Sequence, residues 1–357
     1  MIAGEYMNLD LLREQIDGID RQIVSLLNQR YEIVREVGKW KQERGLPIYV
    51  PEREKALLEK LASLNQGPML RSTLFAIYRE IMSGAYPLEA QLHIAYLGPA
   101  ATYSHQAAKQ RFGSSVEYFP MPGIADVFRD VESGKADFGV VPVENSTEGV
   151  VNHTLDLLLE SPVKVCAEIN LPIHHSLLSR SELSGIRKIY SHPQSLAQCR
   201  LWLTEHLPMA ERIESSSNTR AAELAAQEPG AAAICSDLAA TVYGLNIIEE
   251  KIEDNPKNTT RFFVIGNQDN NPSGKDKTSL CFAVQDRVGA LYECLLPFRD
   301  SGLTLTMIES RPSKKINWEY VFYVDLLGHI SDPVVETALE QLRKHTSFLK
   351  ILGSYPV

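Results

Sequence analysis

The chain has 357 residues, too many for one ordinary core, so two or three domains are expected. Hydrophobic residues make up 44% and charged residues 23%, an ordinary balance for a soluble globular protein. A net charge of −9 argues against nucleic acid as the main partner, because phosphate binding relies on clustered Lys and Arg.

Met1 to Met7 carries Glu5 and no apolar core, so it does not read as a signal peptide. No apolar run approaches membrane-spanning length, and no membrane association is expected. Cys166, Cys199, Cys235, Cys281 and Cys294 are widely spaced without a C-x-x-C pair. They suit reduced thiols in a cytoplasmic protein better than a disulfide frame or a zinc site.

From Asn8 to Ala90 the pattern is helical. Leu9, Leu12, Ile16, Ile19, Ile23, Leu26, Ile33, Val37 and Trp40 recur every three or four residues, and no proline interrupts before Pro47. This predicts one helix of roughly 35 residues, on the order of 50 Å long. A rod of that length cannot hide its apolar stripe inside one small domain, so a homodimer or higher homo-oligomer is expected. Shorter helices follow at 51–64 and 70–82, and Pro87 should kink or end the last. Residues 1–90 thus read as an all-α domain.

From Gln91 short strands (93–97, 138–143, 163–169, 188–190, 232–234, 262–265) alternate with helical stretches (104–111, 124–133, 196–206, 219–227). Such alternation predicts an α/β domain over 92–268 with a mostly parallel sheet and ligands where strand ends meet helix starts. Residues 266–277 are polar and rich in Asn, Gly and Pro, and read as a linker. Beyond it, 278–357 reads βαββαβ, an α+β ferredoxin-like unit.

Within the long helix Arg30 and Lys41 are three full turns apart and share a face, with an axial gap of about 16 Å. Two long side chains there can converge on one small dianion. Arg13 lies roughly 25 Å from Arg30 along the same axis, so only an antiparallel partner chain could bring its own Arg13 to that site. On pattern alone a solvated charged face, as on most long helices, is the favoured reading. The run Leu12-Arg13-Glu14, Ile19-Asp20, Leu27, Arg30, Val37-Gly38-Lys39, Lys41, then Pro51-Glu52-Arg53-Glu54, resembles the all-helical chorismate mutase family. That resemblance implies an intertwined dimer in which Arg13 of the partner, Arg30 and Arg53 hold the two carboxylates of chorismate. It further implies that Lys41 stabilises the ether oxygen and that Glu54 accepts a hydrogen bond from the ring hydroxyl. Val50 stands where many members carry Asp, leaving its backbone N–H to serve there, and Ala85 replaces a nearby serine. Glu89 aligns with a second donor to the ether oxygen. A carboxyl donates only when protonated, so mutase activity is expected to fall with rising pH.

In the α/β segment, Leu97-Gly98-Pro99-Ala100-Ala101-Thr102-Tyr103-Ser104 joins a strand to a helix that Thr102 or Ser104 can cap, and free helix N–H groups suit a carboxylate. Val143-Glu144-Asn145-Ser146-Thr147 ends a strand in polar side chains. Ser191-His192-Pro193-Gln194-Ser195, with Gln198 following, repeats the strand-to-helix logic. In Asn258-Thr259-Thr260-Arg261-Phe262 a hydroxyl sits beside a guanidinium, which eases proton donation and forks a carboxylate. These motifs, in this order, resemble prephenate dehydratase, a two-lobed, periplasmic-binding-protein-like fold with its site in the cleft. The resemblance implies conversion of prephenate to phenylpyruvate with loss of CO₂ and water. Thr260 would be the acid or donor, Arg261 the carboxylate or orienting partner and Phe262 the cleft wall. Glu144, Asn145, Ser146, Ser191 and Gln198 match polar family positions. No metal or organic cofactor is expected, and His174, His175 and His192 lack completing ligands.

In the last unit Gly289-Ala290-Leu291 opens a helix and Glu309-Ser310-Arg311-Pro312 ends a strand. Both look like signatures of the ACT regulatory domain, although Tyr292 stands where some members carry valine. They imply phenylalanine as an effector bound at a dimer interface. Together the three resemblances imply a bifunctional enzyme of phenylalanine biosynthesis, feedback-inhibited by its end product. A dehydratase with a merely dimerising helical appendage, or a ligand-sensing binding protein, are the alternatives.

Overall fold

The computed structural model describes residues 9–284, 287–312 and 320–357; Met1 to Asn8, Gln285 and residues 286 and 313–319 lie outside the described residues. The N-terminal part is helical: α1 (Leu9–Gln42), α2 (Pro51–Leu64), α3 (Arg71–Ser83) and a single turn, α4 (Tyr86–Glu89). The third helix ends before Pro87, which occupies the first turn of α4, where its missing N–H costs nothing. Along α1 only Gly38 is buried. Leu9, Ile16, Ile19, Ile23, Leu26, Ile33, Val37 and Trp40 are between 40% and 67% exposed, so nothing among the described residues covers the stripe. A Cβ on Gly38 would lie 2.8 Å from Glu89 Cα, so the backbones of α1 and α4 meet closely at this point.

Two α/β lobes follow. The first contains β1 (His93–Leu97), α5 (Tyr103–Phe112), β2 (Glu117–Met121), α6 (Ile124–Glu132), β3 (Phe138–Asn145), β4 (Gly149–Val150), α7 (Asn152–Glu160) and β5 (Lys164–Pro172). The second contains β6 (Ser176–Ser179), β7 (Lys188–Ser191), α8 (Pro193–Gln198), α9 (Arg200–His206), β8 (Glu211–Glu214), α10 (Asn218–Gln227), β9 (Ala231–Cys235), α11 (Asp237–Tyr243) and β10 (Asn246–Glu249). The chain then returns to the first lobe as β11 (Thr259–Gly266). The sheet orders are β2-β1-β3-β11-β5, with β4 beside β3, and β10-β6-β9-β7-β8.

Both sheets are mixed rather than mostly parallel. β11 runs antiparallel to β3 and β5, and β6 runs antiparallel to β9 and β10. The cause is topological: β5 leaves the first lobe and β11 re-enters it alongside, so the two must run in opposite directions. The helix expected over 196–206 is broken at Cys199, where Asp254 accepts from Leu201 N at 3.1 Å and its own N–H donates to Gln198 O.

The C-terminal unit comprises β12 (Asp276–Val284), α12 (Ala290–Asp300), β13 (Leu305–Pro312), β14 (Tyr320–Leu327), α13 (Pro333–Arg343) and β15 (Phe348–Pro356), with the antiparallel order β13-β14-β12-β15. The segment expected as a linker is shorter and tightly held. β11 and β12 take its two ends, and Asn270, buried, donates to Cys166 O and Ser354 O. Gln268 donates to Tyr49 O and Asn271 to Glu52, so this segment ties all three parts together. Tyr49, fully buried in the loop after α1, packs between Phe112 and Phe138 at 5.0 and 4.8 Å between ring centres.

Candidate active sites

A cleft of about 260 Å³ opens between the two lobes. The first lobe contributes Thr102, Tyr103, Asn145 and Thr260; the second contributes Gln198, Ser217 and Asn218; the crossing segments contribute His175 and Asn258. The Asn145 carboxamide has a fixed orientation, because its Oδ1 accepts from the N–H groups of Thr147 and Glu148 at 2.9 and 3.1 Å. Its Nδ2 must therefore donate, and it does so to Thr260 Oγ1 at 2.8 Å and Asn258 Oδ1 at 2.9 Å. Thr260 is thus an acceptor toward Asn145, and among the described residues nothing takes its own proton. That proton is left for whatever occupies the cleft.

Across the cleft, His175 is 2% exposed, with Tyr103 OH 2.7 Å from its Nδ1 and Gln198 Oε1 2.7 Å from its Nε2. Burial holds this imidazole below its usual range, which favours the neutral ring. Thr102 caps α5 by accepting from His105 N, and Ser217 caps α10 by accepting from Arg220 N; both caps line the cleft. None of the described residues lining the cleft is Lys or Arg. Two helix N-termini and neutral donors supply its positive potential.

Arg261 faces the other way. Its guanidinium reaches Glu168 at 2.7 Å and Asp325 at 2.6 Å and donates to Tyr355 OH at 3.0 Å, while Lys277 pairs with Glu168 at 2.8 Å. Arg261 was expected as a carboxylate or orienting partner; adjacent strand residues point to opposite faces, so Thr260 takes the cleft side and the guanidinium meets the protein's own carboxylates. Phe262 is likewise no cleft wall, being 2% exposed in the first-lobe core with Phe138, Val140 and Ile169. Glu144 pairs in register with Arg261 and does not line the cleft. Ser146 Oγ accepts from Thr259 N, Ser191 donates to Asn218 Oδ1 from beneath the cleft, and Ser104 is buried in α5.

In the helical part, Lys41 Nζ lies 2.7 Å from Glu89 Oε2 and donates to Ile48 O. Glu54 Oε1 accepts from Tyr86 OH, and Glu54 Oε2 lies 3.4 Å from Arg111 of α5. Arg30 is half-buried, and its buried Nη1 has no hydrogen-bond partner among the described residues. Arg53 is exposed, Val50 and Ala85 precede the first turns of α2 and α4, and Arg13 is exposed and pairs with Asp10 one turn away. Within one chain Lys41, Glu54 and Glu89 cluster, whereas Arg13 stays remote.

The sequence profile of the prephenate dehydratase family matches residues 94–270, and that of chorismate mutase type II matches 12–90. A curated relative from Aquifex aeolicus, a bifunctional chorismate mutase/prephenate dehydratase, is 49% identical over 97% of both chains. The chain belongs to the bifunctional chorismate mutase/prephenate dehydratase family. Among solved structures, prephenate dehydratase from Arthrobacter aurescens in complex with L-Phe aligns with a TM-score of 0.68 at 36% identity, covering 74% of this chain and 90% of that one. GqqA, described as a novel type of quorum quenching acylase, aligns at 0.69 and 30% identity, covering 74% and 98%.

As a member of this family the chain carries both activities in phenylalanine biosynthesis, and the reading of the helical part as a mere appendage gives way. In the C-terminal unit, Gly289 takes a left-handed φ of 81° before α12, Ala290 is buried beneath it and Leu291 packs on the same core. Glu309 is half-buried and Ser310 exposed on the edge strand β13. Arg311 makes a two-pronged bond to Asp156 of α7, both arms at 3.1 Å, so it ties the unit to the first lobe. Sequence reasoning passed over Tyr103 and Asn258, although both sit inside motifs it singled out. It weighed His175 only as a metal ligand, and no local pattern marks a residue whose role arises at a crossing between lobes.

Proposed function

We propose that Thr260 delivers the hydrogen bond that expels the prephenate hydroxyl, and that Asn145 aims it. The supporting observation is the fixed Asn145 amide, which leaves the Thr260 proton directed at the cleft. The C–OH and C–CO₂⁻ bonds break together: the pair of the C–CO₂⁻ bond enters the ring and completes the aromatic system as CO₂ departs, and the departing hydroxide takes the Thr260 proton and leaves as water, Thr260 regaining its proton from solvent. The second carboxylate stays on phenylpyruvate. Prephenate is held by the N–H groups at the starts of α5 and α10 and by neutral side chains. A fixed cation against the departing carboxylate would stabilise the ground state more than the charge-dispersed transition state, so the absence of Lys and Arg among the described lining residues suits decarboxylation.

In the mutase reaction Lys41 stabilises the growing charge on the ether oxygen, with Glu89 as its second donor when protonated, Arg30 and Arg53 on the carboxylates, Glu54 on the ring hydroxyl and Val50 and Ala85 lining the site. Arg13 comes from a second copy in a homodimer or larger assembly, which the bare stripe of α1 supports. The C-terminal unit is an ACT-like sensor that binds phenylalanine around Gly289, Ala290, Leu291, Glu309 and Ser310. Its support is the antiparallel βαββαβ order together with the L-Phe complex of the Arthrobacter relative. Neither reaction needs a metal or organic cofactor, and the enzyme works in the cytoplasm.

Thr260→Ala tests the dehydratase assignment with the mutase as internal control. Dehydratase kcat should fall by about 10²-fold or more, Thr260→Ser should restore part of it, and chorismate consumption should not change. Retention of dehydratase kcat in Thr260→Ala would remove Thr260 from the chemistry.

A further inference from the structure

We propose that the dehydratase domain completes the mutase site: Arg111, near the end of α5, is a positioning residue that holds the Glu54 carboxylate as an acceptor for the ring hydroxyl of chorismate. The inference rests on the reading that Glu54 serves the mutase reaction. Arg111 belongs to the first dehydratase lobe, yet its Nη2 lies 3.4 Å from Glu54 Oε2, with the two side chains 24% and 13% exposed. The guanidinium is itself held: its Nε donates to Tyr49 OH, and its carbon lies 5.3 Å from the centre of that ring. Tyr49 is fully buried between the two domains. The other oxygen of Glu54 accepts from Tyr86 OH, so both are oriented.

The chemistry explains why a cation is needed there. Burial pushes the Glu54 carboxyl above the usual carboxylate range, and Arg111 is the largest influence opposing that shift, ahead of the Tyr86 hydrogen bond and Lys41. Glu52, on the same helix, acts in the opposite sense to Arg111. Without Arg111 the carboxyl would retain its proton to higher pH and become a donor where the substrate hydroxyl needs an acceptor. The same helix begins at Thr102 and Tyr103 in the dehydratase cleft. Ten residues, about 15 Å of helix, therefore join the two sites.

The test uses the full-length protein and measures mutase kcat/KM from pH 5.5 to 9 for wild type, Arg111→Met, Arg111→Lys, Glu54→Gln and the double variant Arg111→Met/Glu54→Gln. Arg111→Met should shift the acid limb of the profile to higher pH, with about tenfold lost for each pKa unit of displacement at pH values below that limb. Arg111→Lys should restore part of the loss, and Arg111→Met should have little further effect once Glu54 is Gln. Dehydratase turnover of added prephenate reports that each variant is folded. An unshifted profile in Arg111→Met, or additive losses in the double variant, would overturn the role of Arg111 even where Glu54→Gln is impaired. A fully active Glu54→Gln would instead overturn the reading of Glu54 on which the inference stands. Should Arg111→Met lose both activities through misfolding, Arg111→Lys and its pH profile decide.

Discussion

Thr260 and Arg261 are neighbours in the chain and serve different halves of the molecule, because successive side chains on a strand alternate faces. The hydroxyl enters the cleft, while the guanidinium closes a buried charge cluster with Glu168, Lys277, Asp325 and Tyr355. Asp325 is fully buried, so removing its partner strands a charge. Arg261→Met should destabilise the protein by about 3–5 kcal/mol, and adding Asp325→Asn should recover a substantial part. Urea titration of the single and double variants checks this; a loss below 1 kcal/mol would show that the cluster contributes little. The motif was legible in the sequence only in company: a hydroxyl, a cation and a ring side by side match often by chance, and the order of the other polar motifs along the chain is what singled it out. The division of labour within it was not, because that depends on which face of β11 meets the cleft. The orientation of Asn145 was hidden for a related reason: it is set by two backbone N–H groups in a turn.

At the scale of elements, the periodicity of α1 predicted both its length and its exposed stripe, and the helix runs from Leu9 to Gln42 with Ile23 and Leu26 bare. A charge introduced on that stripe should oppose pairing of two copies while leaving the α/β lobes alone. Ile23→Glu should convert the protein to a smaller species in analytical ultracentrifugation and lower mutase activity at least tenfold, with dehydratase turnover retained. An unchanged sedimentation coefficient together with full mutase activity would show that the stripe is not the pairing surface. Elements built from local periodicity were readable in this way. The antiparallel strands β6 and β11 were not, since their direction follows from a chain that crosses between lobes twice. The break at Cys199 is also non-local, fixed by Asp254 from the returning crossing.

For the whole molecule, composition gave the number of parts but not their contacts. The polar stretch read as a linker is a clasp, with Gln268, Asn270 and Asn271 reaching all three parts. Lys55 of α2 donates to Lys275 O and to Val357 O, so the helical part also touches the end of the chain. Arg311 to Asp156 and Arg261 to Asp325 bind the C-terminal unit to the first lobe, the second through the residue next to Thr260. The most direct measurement is chorismate turnover by the purified protein, following prephenate and phenylpyruvate over time with and without phenylalanine. The account predicts steady phenylpyruvate formation from chorismate alone, suppressed when phenylalanine is added. Chorismate left untouched while added prephenate is dehydrated would contradict the mutase site, and turnover indifferent to phenylalanine would contradict the sensor.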